Sequence, residues 1–274
     1  HYSKPLFTLG IMHDPFFSII VPTFNPSIDR LKCCLKSIYD QSFPGWEVII
    51  MDSLTARSED VKRLVGETTQ VRYLQDSGAR GIYRAMNVAL AQSTGAWVLF
   101  LGHDDRLADP SVLGIARQFI QASRRCVWRQ AYYGSVLIEG DAGWAKCGAV
   151  YDGEFNFSKL LRRNICHQAI FYRGRYARGR RPPYNPAYRV TADWDYNIRA
   201  WTSGGYGYIP LTITVFLGGG TSSSMKDDGF TGALALTWNY WKRKRPMMLA
   251  MITLIYCRLA ALYPGSRGAF LSKI

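Results

Sequence analysis

Two adjacent carboxylates, Asp104 and Asp105, follow the apolar run 96–101 by way of Gly102 and His103. Like charges held side by side at the end of a buried strand repel each other and are poorly solvated. A divalent cation that also grips a diphosphate relieves both costs and gives the pair a purpose. The alternative for this pair is a solvated turn leading into the next helix. Asp52 ends another apolar run, 47–51, and a third acidic cluster, Asp193 and Asp195, opens a segment of helical periodicity. On a helix of 3.6 residues per turn these last two project about 200° apart, so they cannot both face one small site. Asp195 is spaced to pair with Arg199 one turn on. Trp194, Ile198 and Trp201 share an apolar face.

The elements that must position these acids alternate regularly. Residues 17–21 read as a buried strand closed by Pro22, and Leu31, Cys34, Leu35 and Ile38 follow with helical spacing. Strands are expected at 47–51, 71–74 and 96–101. Between them lie short helices carrying Val61, Leu64 and Val65, then Ile82, Met86, Ala89 and Leu90. Asp109 and Pro110 start a further helix whose inward set is expected to be Val112, Ile115, Ala116 and Phe119. Such alternation predicts an α/β fold with a mostly parallel sheet and helices on both faces. In open sheets of this kind ligands bind outside the strand carboxyl ends, where Asp52 and Asp104 fall. The second half is less regular, with strands expected at 132–138, 168–173 and 208–216 in mixed orientation. A Gly/Arg/Pro-rich loop at 174–189 precedes the helix 192–202, which Gly204 and Gly205 stop.

The chain of 274 residues is 48% hydrophobic and carries a formal charge of +14, which argues for a globular protein that meets polyanions. The excess is concentrated: 162–181 holds seven arginines and no acid, and 221–274 holds eight Lys/Arg against two Asp. The six cysteines form no Cys-x-x-Cys pair, which suits free thiols in a reducing compartment. The first residues show no secretory leader, and no apolar run reaches the roughly 20 residues that span a bilayer. Trp238, Tyr240 and Trp241 stand beside the basic cluster 242–245, followed by the apolar stretch 246–257. That combination suits a helix lying in a membrane interface, or equally a C-terminal helix packed on its own domain.

In order along the chain stand Pro22, Thr23, Phe24 and Asn25 after the first strand, then Asp52. Gly81, Ile82, Tyr83, Ala85, Met86 and Asn87 come next, then Asp104 and Asp105. The segments 166–171, 192–196 and 216–222 complete the series. This order resembles the inverting family 2 glycosyltransferases of the GT-A fold, in particular bacterial members that build surface polysaccharides. The resemblance covers roughly residues 16–223. It implies a GT-A domain at 14–223, with a nucleotide-binding half at 14–105 and an acceptor half at 106–223, and a basic, aromatic tail at 224–274.

The resemblance implies a role for each match. Pro22, Thr23, Phe24 and Asn25 form the loop under the nucleoside, and Asp52 accepts from the base, usually uracil. Arg80 and Asn87 lie near the diphosphate and sugar. Asp105 is the direct ligand of Mn²⁺ or Mg²⁺, with Asp104 beside it toward the sugar or ribose, and His103 is a turn residue or a further ligand. Asp193 deprotonates the acceptor hydroxyl. His167, Gln168 and Trp194 face the sugar or acceptor. Partners implied are a UDP-sugar and a saccharide acceptor on a polyprenyl diphosphate, at the inner face of the cell membrane in the cytoplasm. Departures at Ala79, Arg80, Arg84, Gly102 and His103 bear on which sugar is carried. Two other classes compete with this reading: a silent scaffold subunit, and a nucleic-acid module built on the arginines of 173–181. The second leaves the ordered acids without a purpose, so no nucleic-acid partner is expected.

Overall fold

The computed structural model describes residues 14–218, apart from 67, 77, 79–80, 124–127, 141–144 and 180–182. Arg80 and the tail 224–274 therefore lie outside the described residues.

The first half is a parallel sheet. Strands β1 (Phe17–Thr23), β2 (Trp46–Asp52), β3 (Val71–Gln75) and β4 (Trp97–Phe100) run in the order β3-β2-β1-β4, each pair parallel. All seven residues of β1 and of β2 are buried. The unbroken apolar runs Ile19–Val21 and Val48–Met51 within them reflect a sheet covered on both faces. Helices α1 (Ile28–Tyr39), α2 (Ser58–Val65) and α3 (Ile82–Ala91) make the crossovers. In α1 the buried stripe is Leu31, Cys34, Leu35 and Ile38, as the spacing predicts. Each such side chain removed from water contributes about 1.5–3 kcal/mol.

The second half closes the sheet in mixed orientation. It contains β5 (Arg106–Leu107), α4 (Val112–Ala122), β6 (Ala131–Ile138), β7 (Val150–Tyr151) and α5 (Phe157–Leu160). A 3₁₀ turn η1 (His167–Ala169), β8 (Ile170–Arg173), α6 (Gly174–Ala177), α7 (Ala192–Gly204) and β9 (Tyr206–Phe216) complete it. β8 is antiparallel to both β4 and β6, and β9 runs parallel to β6 and antiparallel to β5. The β6–β9 register slips between Tyr133 and Ser135. Opposite the slip lies Pro210, which has no N–H to give a ladder. Gly134 is obligatory there, since a Cβ would stand 2.3 Å from the Leu211 carbonyl oxygen.

Three expectations shift. The segment 168–173 is not strand throughout: His167 to Ala169 form the 3₁₀ turn, and β8 begins at Ile170. In α4 the buried set is Val112, Leu113, Ala116 and Ile120, while Ile115 is exposed. In α7 the buried residues are Ala192, Asp193, Asp195, Tyr196, Asn197, Ile198 and Ala200. Trp194 and Trp201, read as its apolar face, are only half-buried. The helix is enclosed on most sides, and an aromatic layer explains why. Tyr172 lies 4.8 Å from Tyr196 and 6.5 Å from Tyr206, ring centre to ring centre.

Candidate functional site

The register brings Thr23, Asp52 and Gln75 level at the carboxyl ends of β1, β2 and β3. Asp52 is wholly buried. Its Oδ1 accepts from Thr23 Oγ1 at 3.0 Å and its Oδ2 from the Tyr73 hydroxyl at 2.8 Å. Burial first, and then the Asp52 carboxylate, push the Tyr73 phenol up to about 12. Pro22 and Thr23 belong to the strand itself, so the turn beyond it begins at Phe24. Phe24 is 73% exposed, an unusual setting for an apolar ring and one that leaves its face open for stacking. Asn25 and Leu54 both take left-handed backbone, φ 45° and 48°, just past the ends of these neighbouring strands. Strain of this kind persists only where the surroundings enforce it.

Beyond β4 the chain turns through Gly102, His103, Asp104 and Asp105. A Cβ on Gly102 would lie 2.5 Å from Asp105 Oδ2 and 3.0 Å from Asp104 Oδ1, so the two carboxylates converge over the bare Cα. Asp105 is 2% exposed. The backbone N–H of Leu217 donates to its Oδ1 and Gln168 Nε2 to its Oδ2, both at 3.1 Å. Burial and then the Asp104 charge push the Asp105 carboxyl up to about 7, against these two donors. Burial holds the His103 imidazole below its usual value, with Arg30 adding to the effect and Asp104 opposing it.

Among the described residues no group of three His, Cys, Asp or Glu is placed as a closed metal cage. The pair nevertheless fits a hard cation whose other ligands are diphosphate and water oxygens. Its donors are carboxylates, they converge, and burial with the Asp104 charge raises the Asp105 carboxyl despite its two hydrogen-bond donors.

The third site is a cavity of about 390 Å³ walled by Tyr83, Tyr151, Asn164, Cys166, His167, Gln168, Val190, Asp193, Trp194 and Phe216. Asp193 is 8% exposed. The backbone N–H of Trp194 donates to its Oδ1 at 2.9 Å, as the open first turn of α7 allows. Asn164 Nδ2 donates to Oδ2 at 2.8 Å, and His167 Nδ1 lies 3.3 Å from the same oxygen. The Tyr83 hydroxyl stands 3.2 Å from Oδ1 and 2.7 Å from the Val190 carbonyl, which takes its proton at the shorter distance. Asp195 turns the other way and pairs with Arg199 at 2.8 Å, as its spacing predicts.

The orientation of Asn164 is fixed from behind. Tyr172 and Tyr206 both donate to Asn197 Oδ1, at 2.7 and 2.9 Å. The Asn197 amide nitrogen must then face away, and it donates to Asn164 Oδ1 at 2.8 Å and to the Ile165 carbonyl at 3.2 Å. With its oxygen so used, Asn164 presents its NH₂ to Asp193. Two hydroxyls thus set the direction of every hydrogen bond up to the carboxylate.

His167, Gln168, Asp193 and Trp194 are brought together around this cavity, and Gln168 also reaches Asp105. Trp194 is held in the wall by Nε1–H donation to the Leu160 carbonyl at 2.7 Å. Asn87 is engaged elsewhere: it donates to the Tyr184 carbonyl at 2.7 Å and accepts from the Tyr184 N–H at 3.2 Å. This makes it the anchor of the loop whose Tyr184 ring stacks on Tyr83 at 5.2 Å. Sequence reasoning did not single out Asn164, Asn197 or the Tyr83 hydroxyl. Tyr83 lies inside a motif that was recognised as a whole, whereas neither asparagine carries a local signal.

The model of glycosyl transferase family 2 matches residues 18–185. A PGL/p-HBAD biosynthesis glycosyltransferase of Mycobacterium tuberculosis is 34% identical over 239 residues, covering 82% of this chain and 86% of its own. Among solved structures, S. aureus TarS 1–349 in complex with UDP has a TM-score of 0.62 at 18% identity. The match covers 82% of this chain and 64% of the TarS chain. The mannosyltransferase PcManGT of Pyrobaculum calidifontis, in complex with GDP-Man and Mn²⁺, has a TM-score of 0.56 at 16% identity, over 92% of this chain and 82% of that one. The parallel first half and the antiparallel return are those of a GT-A fold, and the chain belongs to glycosyl transferase family 2.

Proposed function

We propose that this protein transfers a hexose-type sugar, with inversion, from a UDP-sugar to a hydroxyl of a polyprenyl-diphosphate-linked saccharide, in the assembly of a bacterial surface polysaccharide. The observation that carries this reading is Asp193, a buried carboxylate held by polar groups in the wall of a sugar-sized cavity. That the mycobacterial relative is a glycosyltransferase supports it, as does the UDP bound to TarS.

In this reading the acceptor hydroxyl lies against Asp193, whose carboxylate takes its proton as the oxygen attacks the anomeric carbon. The bond from that carbon to the diphosphate oxygen breaks on the opposite face, so no sugar–enzyme bond forms. A positioned base supplies about 10²–10⁴-fold in rate. Asn164 and the Trp194 N–H keep the carboxylate aimed. Tyr83, Tyr151 and Trp194 line the cavity that would take the sugar. Phe24 and Asp52 lie at the strand ends expected to take the base. Asp104 and Asp105 would hold Mn²⁺ or Mg²⁺, which when bound supplies a Lewis acid for the charge building on the departing diphosphate. Among the described residues no helix is long and apolar enough to cross a membrane. We assign the basic, aromatic segment 238–257 to the membrane interface, at the inner face where the acceptor lipid would be met.

The test is calorimetric titration of UDP with and without Mn²⁺, on the native protein and on Asp104→Ala and Asp105→Asn. Metal-dependent binding that both substitutions weaken at least tenfold is the expected result. No UDP binding under any metal would sink the donor assignment. For the tail, loss of binding to anionic vesicles on deleting 238–274 is expected, and full retention would sink its membrane role.

A further inference from the structure

We infer that Arg162 and Arg163 form an anion subsite at the mouth of the Asp193 cavity, which recognises a phosphoryl group carried by the acceptor. This inference rests on the reading of that cavity as the acceptor site and assigns the acceptor a chemical class from the protein's own residues. Both arginines line the cavity and both are exposed, whereas Asp193 is buried deeper in the same wall. The cavity thus runs from an acid inside to cations at its edge.

The charges at that edge do not cancel. Among the described residues Asp152 is the acid that pairs with these cations, and it is shared: Arg163 lies 3.1 Å from its Oδ2 and Lys159 Nζ 3.4 Å from the same atom. Lys159 is further spent on the carbonyls of Asp152 and Glu154. Arg162 gives only its Nε–H, to the Ser158 carbonyl at 3.2 Å, and among the described residues no acid pairs with it. Arg163 and Lys159 share that one carboxylate and Arg162 has none, so the edge keeps an excess of positive charge for a phosphate monoester or diphosphate to neutralise. The guanidinium fork matches the geometry of phosphate oxygens, and the Arg163 plane is steadied over the Tyr151 ring at 5.1 Å.

The experiment compares binding of glucose-1-phosphate and methyl glucoside to the native protein, Arg162→Gln and the Arg162→Gln/Arg163→Gln double variant. Saturating UDP and Mn²⁺ block the donor site throughout. Expected is a native preference for the phosphorylated sugar of about 10–100-fold, reduced in the single variant and lost in the double, with methyl glucoside binding unchanged. Melting temperature and UDP affinity serve as controls for folding. Absence of the preference in the native protein, or its persistence in the double variant, overturns the subsite. If the double variant keeps the preference but loses binding to phosphatidylglycerol vesicles, the arginines read lipid head groups and the proposal falls. If UDP does not bind while the arginine-dependent preference stands, the donor assignment fails and the anion subsite survives.

Discussion

Gln168 donates to Asp105 across 3.1 Å, and this single contact joins the strand-end carboxylates to the cavity that holds Asp193. The neighbouring residue on the same 3₁₀ turn, His167, faces the other acid. One turn of chain therefore touches both halves of the site, and substitution of its two side chains is expected to separate them. Gln168→Ala should weaken Mn²⁺-dependent UDP binding about tenfold, the scale of a hydrogen bond to a charged group. His167→Ala should leave that affinity unchanged and lower kcat. Equal effects of both variants on UDP affinity would mean that the turn does not divide the roles.

Gly102 is the cradle of the acidic pair, and the clash there is with the carboxylates themselves. In Gly102→Ala the Cβ must displace Asp105 from Leu217 and Gln168. Metal-dependent UDP affinity is expected to fall by an order of magnitude or more, while the melting temperature changes little, because β4 ends before this turn. Isothermal titration beside a thermal melt distinguishes this outcome from general destabilisation. An unchanged affinity would show that the pair is not held where the cation binds.

Asp193→Asn should lower kcat about 10²–10⁴-fold with UDP affinity intact. The chain of amides behind Asp193 makes a sharper prediction for Asn164→Asp, nearly isosteric but unable to donate. It places a second carboxylate beside Asp193 and opposite the Asn197 NH₂. The expected loss in kcat is about 10–100-fold, from one donor to a charged group and the repulsion that replaces it. Asn164→Ala should lose less than Asn164→Asp, and the comparison reads orientation apart from packing.

Much of this was legible in the sequence, for identifiable reasons. The strand–helix alternation, the α1 stripe and the Asp195–Arg199 pair depend on spacing alone, and spacing survives folding. The inward face of α7 was not legible. Periodicity reports one apolar side, whereas this helix meets tyrosines from β8 and β9 and buries Asp193 and Asn197 along with its apolar residues. The Asn87–Tyr184 clasp joins residues 97 apart, and Asn164–Asn197 joins two asparagines 33 apart. Polar pairings of such separation leave no local pattern. The residues of the turn at His167 suit the start of a strand equally well, and the Cys166–Ala169 hydrogen bond that closes the turn is not written in composition.

At the opposite end of the strands, Glu47 ties β1, β2 and the loop before β4 together. Its Oε1 accepts from Ser18 Oγ, from Thr94 N and Oγ1 at 2.6 and 2.9 Å, and from Gly95 N at 3.3 Å. Arg72 donates to Oε2 at 2.9 Å. Burial pushes the Glu47 carboxyl up, but the donors from Ser18 and Thr94 and the Arg72 charge outweigh it and hold the group below its ordinary value. A depressed carboxylate adds stability above its unfolded pKa, about 4.3, and that stability is lost as pH falls through the folded value. Glu47→Gln keeps the shape and removes the charge. It should cost about 1–3 kcal/mol at neutral pH, with the difference from the native protein shrinking toward zero below about pH 4. Urea unfolding of both proteins from pH 7 to the acid limit of folding measures this. A difference that stays constant with pH would mean that the Glu47 charge, unlike its shape, contributes nothing to the fold.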